Sequence, residues 1–395
     1  MNIRRRETPD PSVGPYDAFR PIGVYVHFPF CSVRCPYCDF AVDTRAEIPH
    51  DGYADAVLAE LAARAPLFAG RRLRSIYFGG GTPSLWDPLD IARVIAAVRA
   101  RFPDGVPDEI TVEANPLDCV PAVLDALLAA GATRLSIGAQ SFENRELVFL
   151  GRDHDGDTAA ASVAAARGAG FASISLDLIY GLSGRTLEDF GRSLDRAVAL
   201  APEHLSVYQL TVESRTPFGA AARAGRAVAT DDDVAAAQFE LAHARLGAAG
   251  YEHYEVSSYA RPGHRARHNS LYWTGADYLG LGNGAHSLLR LPDGGGLRWA
   301  AHRSVVRYLA GAPAADPRAC GLVAETTAQD ARAVRADRVW LGLRTADGIP
   351  RELVGDPGPL AALAAAGLIT VDEDRVRPTA RGLLFADELG ARLLE

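Results

Sequence analysis

The stretch Cys31-Ser-Val-Arg-Cys35-Pro-Tyr-Cys38 predicts both the chemistry and the fold of this 395-residue chain. Its spacing lets three thiolates reach one metal centre from a single loop. Iron–sulfur clusters take thiolate ligands, and four cysteines are the usual complement of a cluster that only transfers electrons. Three cysteines on a four-iron cluster leave one iron without a protein ligand. This pattern therefore favours a cluster that binds a small molecule at its open iron.

A zinc site and a disulfide are the alternatives for the same cysteines. Closed zinc sites need four ligands, and no second pair of cysteines or histidines follows at the usual spacing. His27 could supply a fourth ligand, although it lies on a predicted strand before the loop. Five cysteines in the whole chain, without a secretory signal, indicate a reducing compartment and argue against a disulfide.

Composition predicts a cytoplasmic protein with sizeable cores. Hydrophobic residues make up 48% of the chain, and no apolar run is long enough to span a bilayer. The net charge of −8 argues against nucleic acid as a partner, because nucleic-acid binding usually leaves a basic footprint. Residues 1–20 contain prolines and predict an irregular lead-in.

Strands alternate with helices from residue 22 onward, which is typical of a parallel α/β architecture. The predicted strands are residues 22–28, 75–78, 109–115, 134–141, 173–181 and 204–211. The predicted helices are residues 53–65, 88–101, 121–130, 157–169 and 186–200. In such barrels, chemistry gathers at the C-terminal ends of the strands. The cysteines, a glycine run at 79–81, Glu113, Gln140 and Asp177 fall at those ends, which predicts one site at the mouth of a six-unit partial barrel.

The segment from His27 to Cys38 resembles the cluster loop of radical S-adenosylmethionine (SAM) proteins. More narrowly, it is similar to the group that contains oxygen-independent coproporphyrinogen III oxidase and HemW-type heme chaperones. The resemblance implies a partial (β/α)6 barrel with a [4Fe-4S] cluster on Cys31, Cys35 and Cys38. It also implies that SAM chelates the open iron and that an electron donor reduces the cluster, which then cleaves SAM to a radical.

The resemblance further implies which residues contact SAM. The Gly79-Gly-Gly-Thr-Pro83 motif matches the glycine motif that contacts SAM in the family, which implies this contact for Gly80, Gly81 and Thr82. A carboxylate at the position of Glu113 is costly to bury unless it faces a cation, which SAM or a neighbouring arginine would supply. The remaining matches to the SAM-contacting positions are Gln140, Arg152 and Asp177. Tyr25 and Tyr37 flank the cysteines and are expected near cluster and cofactor, unless they are ordinary core aromatics.

Beyond the barrel, residues 241–325 predict a linking extension and residues 326–395 a small C-terminal α+β domain that is winged-helix-like. The extension contains His253, His268 and His286. Histidines can ligate heme iron, but isolated histidines are more often hydrogen-bonded structural residues. Residues 268–273 read His-Asn-Ser-Leu-Tyr-Trp, which resembles the HNxxYW motif of the HemW-type group.

Two departures separate this chain from the oxidases of the group. Phe40 stands where those oxidases carry a further cysteine, and only about twenty residues precede the first predicted strand. We therefore expect a heme chaperone that binds heme, contacts it through His268, and passes it to acceptor proteins. Whether an acceptor is membrane-associated is left open by the sequence. The alternatives are coproporphyrinogen oxidase activity in porphyrin biosynthesis and a radical SAM enzyme that acts on another substrate.

Overall fold

A computed structural model describes residues 20–394, so almost all of the predicted lead-in lies outside the described residues. Six parallel strands form the centre of the fold and follow one another in the sheet in chain order. They are β1 (Pro21–Phe28), β2 (Arg72–Gly80), β3 (Glu109–Ala114), β4 (Arg134–Gln140), β5 (Ser173–Tyr180) and β6 (His204–Gln209). The predicted partial (β/α)6 barrel is thereby confirmed.

Helices between the strands cover the outside of the barrel. They are α1 (His50–Arg64), α2 (Pro88–Arg101), α3 (Pro121–Ala130), α4 (Asn144–Phe149), α5 (Gly156–Ala169) and α6 (Leu187–Ala199), followed by α7 (Pro217–Arg223) and α8 (Asp232–Ala248). Thr186 and Asp189 form a capping box at the start of α6, because each side chain accepts the other residue's backbone N–H.

Side chains along β4 alternate between the hydrophobic core outside the barrel sheet and the cavity inside it. Leu135, Ile137 and Ala139 are fully buried in the core beneath the helices. Arg134 and the residues that alternate with those three face the interior, which is lined mainly by polar groups. Strands have a side-chain period of two, so one face builds the core while the other builds the cavity.

Residues 252–329 extend the same sheet at both edges. They add β7 (Glu252–Glu255) and β8 (Ser258–Ala260) beyond β6, then helix α9 (Arg267–Thr274), then β9 (Asp277–Leu281), β10 (His286–Arg290), β11 (Gly296–Ala301), helix α10 (Val305–Ala310) and β12 (Val323–Gln329). β9 pairs in parallel with β1, and the complete sheet has twelve strands. The sequence-based boundary between residues 325 and 326 falls inside β12.

Helix α9 closes the N-terminal end of the barrel. The Glu109 carboxylate, at the start of β3, accepts the backbone N–H groups of Arg267 and His268, at 3.0 Å each. A carboxylate at this position satisfies amide groups that the first turn of a helix leaves without partners, and it complements the helix dipole. The HNxxYW segment lies within α9 and is thereby fixed against the barrel.

The remaining residues form a small α+β domain with a core of its own. Its elements are α11 (Ala331–Gly342), β13 (Ile349–Pro350), α12 (Gly358–Ala365), β14 (Ile369–Val371), β15 (Arg375–Pro378), α13 (Ala380–Leu384) and α14 (Ala386–Leu394). The strands form an antiparallel sheet in the order β13-β15-β14. This architecture confirms the predicted C-terminal fold. Among the described residues, no helix combines the length and hydropathy that crossing a membrane requires.

The cysteine loop is held closed at its base. His27 Nε2 lies 3.0 Å from the carbonyl oxygen of Ala41, which joins the residues before and after the loop. The Tyr53 hydroxyl lies 2.6 Å from the His27 carbonyl oxygen, and Asn283 Nδ2 donates to Ala41 as well. Burial lowers the pKa of His27 to about 4, so its imidazole is neutral at physiological pH and can donate from one nitrogen while accepting at the other.

Replacing Tyr53 with phenylalanine tests this closure. Tyr53→Phe keeps the ring but leaves the buried His27 carbonyl without its donor, so we expect the free energy of unfolding to fall by about 1–3 kcal/mol. Urea titration would measure the change. Tyr180→Phe is the matched control, because the buried Tyr180 makes no side-chain hydrogen bond within residues 20–394. Equal stability of the two variants would contradict a bracing role for the Tyr53 hydroxyl.

Candidate functional site

A cavity of about 400 Å³ opens at the C-terminal ends of the parallel strands. It brings together most of the residues that the sequence predicted for one site. Those that line it are Cys31, Cys35, Cys38, Tyr37, Gly80, Gly81, Thr82, Glu113, Gln140, Arg152 and Asp177. Tyr25 and His268 do not line it. The loops that follow four different strands therefore converge with the cysteine loop, as expected for an α/β barrel.

The three cysteines are partly exposed at the cavity, and two of them have a donor beside the sulfur. Thr82 Oγ1 donates to Cys31 Sγ at 3.4 Å, and Arg152 Nη1 donates to Cys35 Sγ at 3.5 Å. Burial raises the pKa of the Cys31 thiol to about 11. A thiolate here thus needs a further positive partner, and cluster iron would be one.

The chemistry of the donor set fits a four-iron cluster. Three thiols on one loop would leave one iron of such a cluster open. A closed zinc site needs a fourth ligand. His27, the candidate fourth zinc ligand, has its two ring nitrogens engaged by Tyr25 and Ala41.

The glycine run packs against the segment that leads into the cysteines. Gly81 N–H donates to the Phe28 carbonyl, and Thr82 N–H donates to the Phe30 carbonyl. A Cβ on Gly81 would lie 2.6 Å from the Phe30 oxygen, and one on Gly80 would lie 2.4 Å from the His27 ring. Gly80 also has φ of +112°, which side chains disfavour. These glycines allow Thr82 to reach Cys31.

Glu113 presents a buried carboxyl group to the cavity. The Tyr77 hydroxyl donates to Oε1 at 2.7 Å, and the Gly80 N–H donates to Oε2 at 3.1 Å. Burial raises the pKa of Glu113 to about 7, although these hydrogen bonds act in the opposite direction. A cation bound next to Glu113 would be favourable, because it would offset the free-energy cost of burying the ionised carboxylate.

Three further residues that the sequence predicted for the site are Gln140 on β4, Arg152 in the segment after α4, and Asp177 on β5. Gln140 ends β4 with φ of 65°, a left-handed conformation that is uncommon outside glycine and that clusters at functional sites. Arg152 Nη2 donates to the Gly138 carbonyl at 3.0 Å, so its guanidinium bridges β4 and the cysteine loop. The Ser136 hydroxyl lies 3.4 Å from the Asp177 carboxylate, and burial raises the pKa of Asp177.

His268 is 1% exposed and lies behind the cavity, on the helix that closes the barrel. Its Nδ1 is 2.8 Å from the Ser75 hydroxyl, and its Nε2 is 2.8 Å from the Tyr272 hydroxyl. Tyr25 is next to it, with ring centroids 6.4 Å apart. The structure therefore gives His268 a packing role, and a contact between its ring and heme stays a prediction.

The other histidines of the extension do not converge with His268. His253 lies on β7, where it stacks on Tyr259 with centroids 4.1 Å apart and pairs with His243. His286 lies on β10, towards the opposite edge of the sheet. These positions show that the closeness of the three histidines in sequence does not create a shared site.

Sequence reasoning missed several polar residues that line the cavity. Their common property is an inward position, either on a strand or on α9. They are Tyr77, Arg134, Ser136, Ser206, Tyr208 and Asn269. Alternation along β4 and β6 could have indicated the strand positions. Asn269 could not be found this way, because only the folded chain brings α9 under the barrel.

Comparison with known proteins assigns the family. The radical SAM superfamily model matches residues 25–197. The chain is 37% identical to the heme chaperone HemW of Mycobacterium tuberculosis over 402 residues, covering 100% of both chains. It is 42% identical to the heme chaperone HemW of Escherichia coli, covering 70% of this chain and 73% of that protein.

Among solved structures, an oxidase of the same group is similar to this chain in fold. The structure of coproporphyrinogen III oxidase (HemN) from Escherichia coli, a radical SAM enzyme, aligns with a TM-score of 0.77 and 27% identity. The alignment covers 95% of this chain and 90% of that one. Identity over the full length is higher with the heme chaperone than with the oxidase. The chain belongs to the HemW family of radical SAM proteins.

Proposed function

We propose that this protein is a heme chaperone that binds heme and transfers it to acceptor proteins. In this proposal it carries a [4Fe-4S] cluster on Cys31, Cys35 and Cys38, with SAM at the open iron. The observation that carries the proposal is the full-length similarity to a heme chaperone, at 37% identity. The cysteine loop that opens into a polar cavity supports the cofactor part. The cytoplasm stays the predicted location.

Different residues of the cavity bind different parts of the proposed cofactors. Thr82 and Arg152 donate to two of the sulfurs and stabilise their thiolate form. Glu113 offers its carboxylate to the cationic part of SAM, while Gln140 and Asp177 offer polar groups to the rest of that ligand. The cluster and SAM together supply one-electron chemistry when bound, and the protein supplies binding and orientation.

Phe40 favours the chaperone over the oxidase. It is 62% exposed and lines the mouth of the cavity, where the oxidases of the group carry a further cysteine. An exposed aromatic ring offers a flat apolar surface instead of a thiol. We therefore propose heme handling at this mouth instead of decarboxylation of a porphyrinogen.

Heme titration after anaerobic reconstitution with iron and sulfide tests the proposal. We expect one heme per chain at micromolar affinity or tighter, measured by visible spectroscopy. Cys35→Ala should lose most of the cluster iron and sulfide, because a cluster with two thiolates is poorly held. Cys320→Ala is the control, since Cys320 is buried away from the cavity. Vinyl-porphyrin product in an anaerobic assay with reductant, SAM and coproporphyrinogen would refute the chaperone proposal.

Glu113→Gln tests the proposed contact with SAM. The wild-type affinity for SAM should fall as the pH drops from 8 to 6, because the carboxylate is protonated near pH 7 and then no longer attracts a cation. Glu113→Gln should bind SAM about tenfold or more weakly at pH 8. It should depend on pH less than wild type does, and the dependence that remains comes from the amino group of SAM, which itself titrates near this range. Equilibrium dialysis with the reconstituted protein would measure both effects.

The control for this experiment is Glu146→Gln. Glu146 is also a buried carboxyl group, but it accepts from Ser141 and lies outside the cavity. It should leave SAM affinity and its pH profile unchanged. A Glu113→Gln protein with wild-type affinity at both pH values would remove Glu113 from the SAM site.

His268→Ala separates a packing role from a heme contact. Loss of the buried ring and its two hydrogen bonds should lower the free energy of unfolding by about 2–4 kcal/mol, whatever the effect on heme. A heme contact predicts, in addition, a changed Soret band and weaker binding in the folded variant. Wild-type spectrum and affinity in protein that is still folded would refute the contact. Ser75→Ala, which removes only one hydrogen bond to the ring, is the matched control.

A further inference from the structure

The floor of the cavity contains a buried cation that the proposed SAM site does not use. Arg134 begins β4 and is 3% exposed, whereas Gln140 ends the same strand at the mouth. Both side chains line the cavity. Because a strand rises about 3.3 Å per residue, Arg134 stands about 20 Å from Gln140 along β4. The cavity thus has an upper level near the cysteines and a separate lower level.

Within residues 20–394, the guanidinium of Arg134 donates no hydrogen bond and forms no ion pair, and its Nε is fully buried. Thr111, which faces Arg134 in the register of β3 and β4, likewise buries its hydroxyl without a partner in the described residues. Buried polar groups are nearly always hydrogen-bonded, so these two groups mark a place where water or a ligand supplies the missing partners.

Neighbouring carboxylates compensate the charge of Arg134 but accept no hydrogen bond from it within residues 20–394. Burial lowers the pKa of Arg134, but the charges of Glu109 and Asp177 contribute to a net rise. Glu109 uses both carboxylate oxygens to accept the first amide groups of α9, and Asp177 stands higher in the barrel, where Ser136 donates to it. Asn269 also lines the cavity, and its side-chain amide makes no hydrogen bond within the described residues. The cavity therefore offers a charged planar fork and a neutral amide.

We infer that Arg134 and Asn269 form a subsite for a carboxylate group at the floor of the barrel. A carboxylate matches the guanidinium because two parallel N–H groups can donate to its two oxygens. The carboxylate belongs to a free small carboxylic acid held below SAM, because α9 closes the floor and a heme at the mouth lies about 20 Å away along β4. The subsite does not rest on the proposed function.

Sodium succinate, titrated into the cluster-loaded protein, tests the inference. Wild type should bind succinate, and Arg134→Gln should weaken this binding at least tenfold. Arg134→Lys keeps the charge but loses the planar fork, so its affinity should be intermediate. If Arg134→Gln does not fold, the lysine variant decides.

Asn269→Ala should weaken succinate binding as well, because its side chain lines the same cavity. Arg185→Gln is the matched control, because Arg185 also buries an unpartnered Nε but lies outside this cavity.

Equal binding of succinate by wild type and both Arg134 variants, or no binding by wild type, would overturn the inference. The guanidinium would then be hydrated only. Absence of heme binding by wild type would refute the proposed function, while the succinate titration would still decide whether the subsite exists.

Discussion

The rest of the site depends on the hydrogen bond that closes the cysteine loop. His27, the residue before the last one of β1, has its ring nitrogen against the Ala41 carbonyl, so the residues between them form a closed loop. The Cys31 N–H donates to the carbonyl of Asp43, two residues after Ala41, and this bond joins the two sides of the loop a second time. With its base fixed in this way, the loop presents the cysteines at the mouth of the barrel. The glycine run then packs against the entry to the loop, which is possible because side chains are absent there.

The interior of the barrel is polar, and each buried charge has a different compensation. Glu109 is neutralised by the amide end of α9, and Glu113 is held by a hydroxyl and an amide group. Arg152 faces a cysteine sulfur. Arg134 lies near the charges of Glu109 and Asp177, which raise its pKa against the effect of burial, but alone among these four it makes no hydrogen bond in the described chain. Since a buried polar group without a hydrogen-bond partner is costly, the interior is complete only when water or ligands contribute polar groups.

Sequence patterns predicted the six parallel strands and the residues at their C-terminal ends, because both depend on local alternation and on chain order. They did not predict that residues 252–329 extend the barrel sheet at both edges. The pairing of β9 with β1 joins residues about 250 positions apart, and no local pattern encodes such a contact. The same limit applies to His268. Its motif resembles a functional signature, yet its surroundings, Ser75 and Tyr272, are set by the docking of α9.

The position of α9 also connects the motif to the cavity without requiring its histidine to touch a ligand. The helix is anchored by Glu109, and its His268 packs on Tyr77 with ring centroids 5.1 Å apart. Tyr77 in turn donates to Glu113 at the level of the proposed SAM site. Asn269, the next residue of the motif, lines the floor beside Arg134. The motif can therefore matter for ligand binding because it sets the depth and the polarity of the barrel interior. His268, buried in the floor of the barrel, contributes to this as a neutral hydrogen-bonding group.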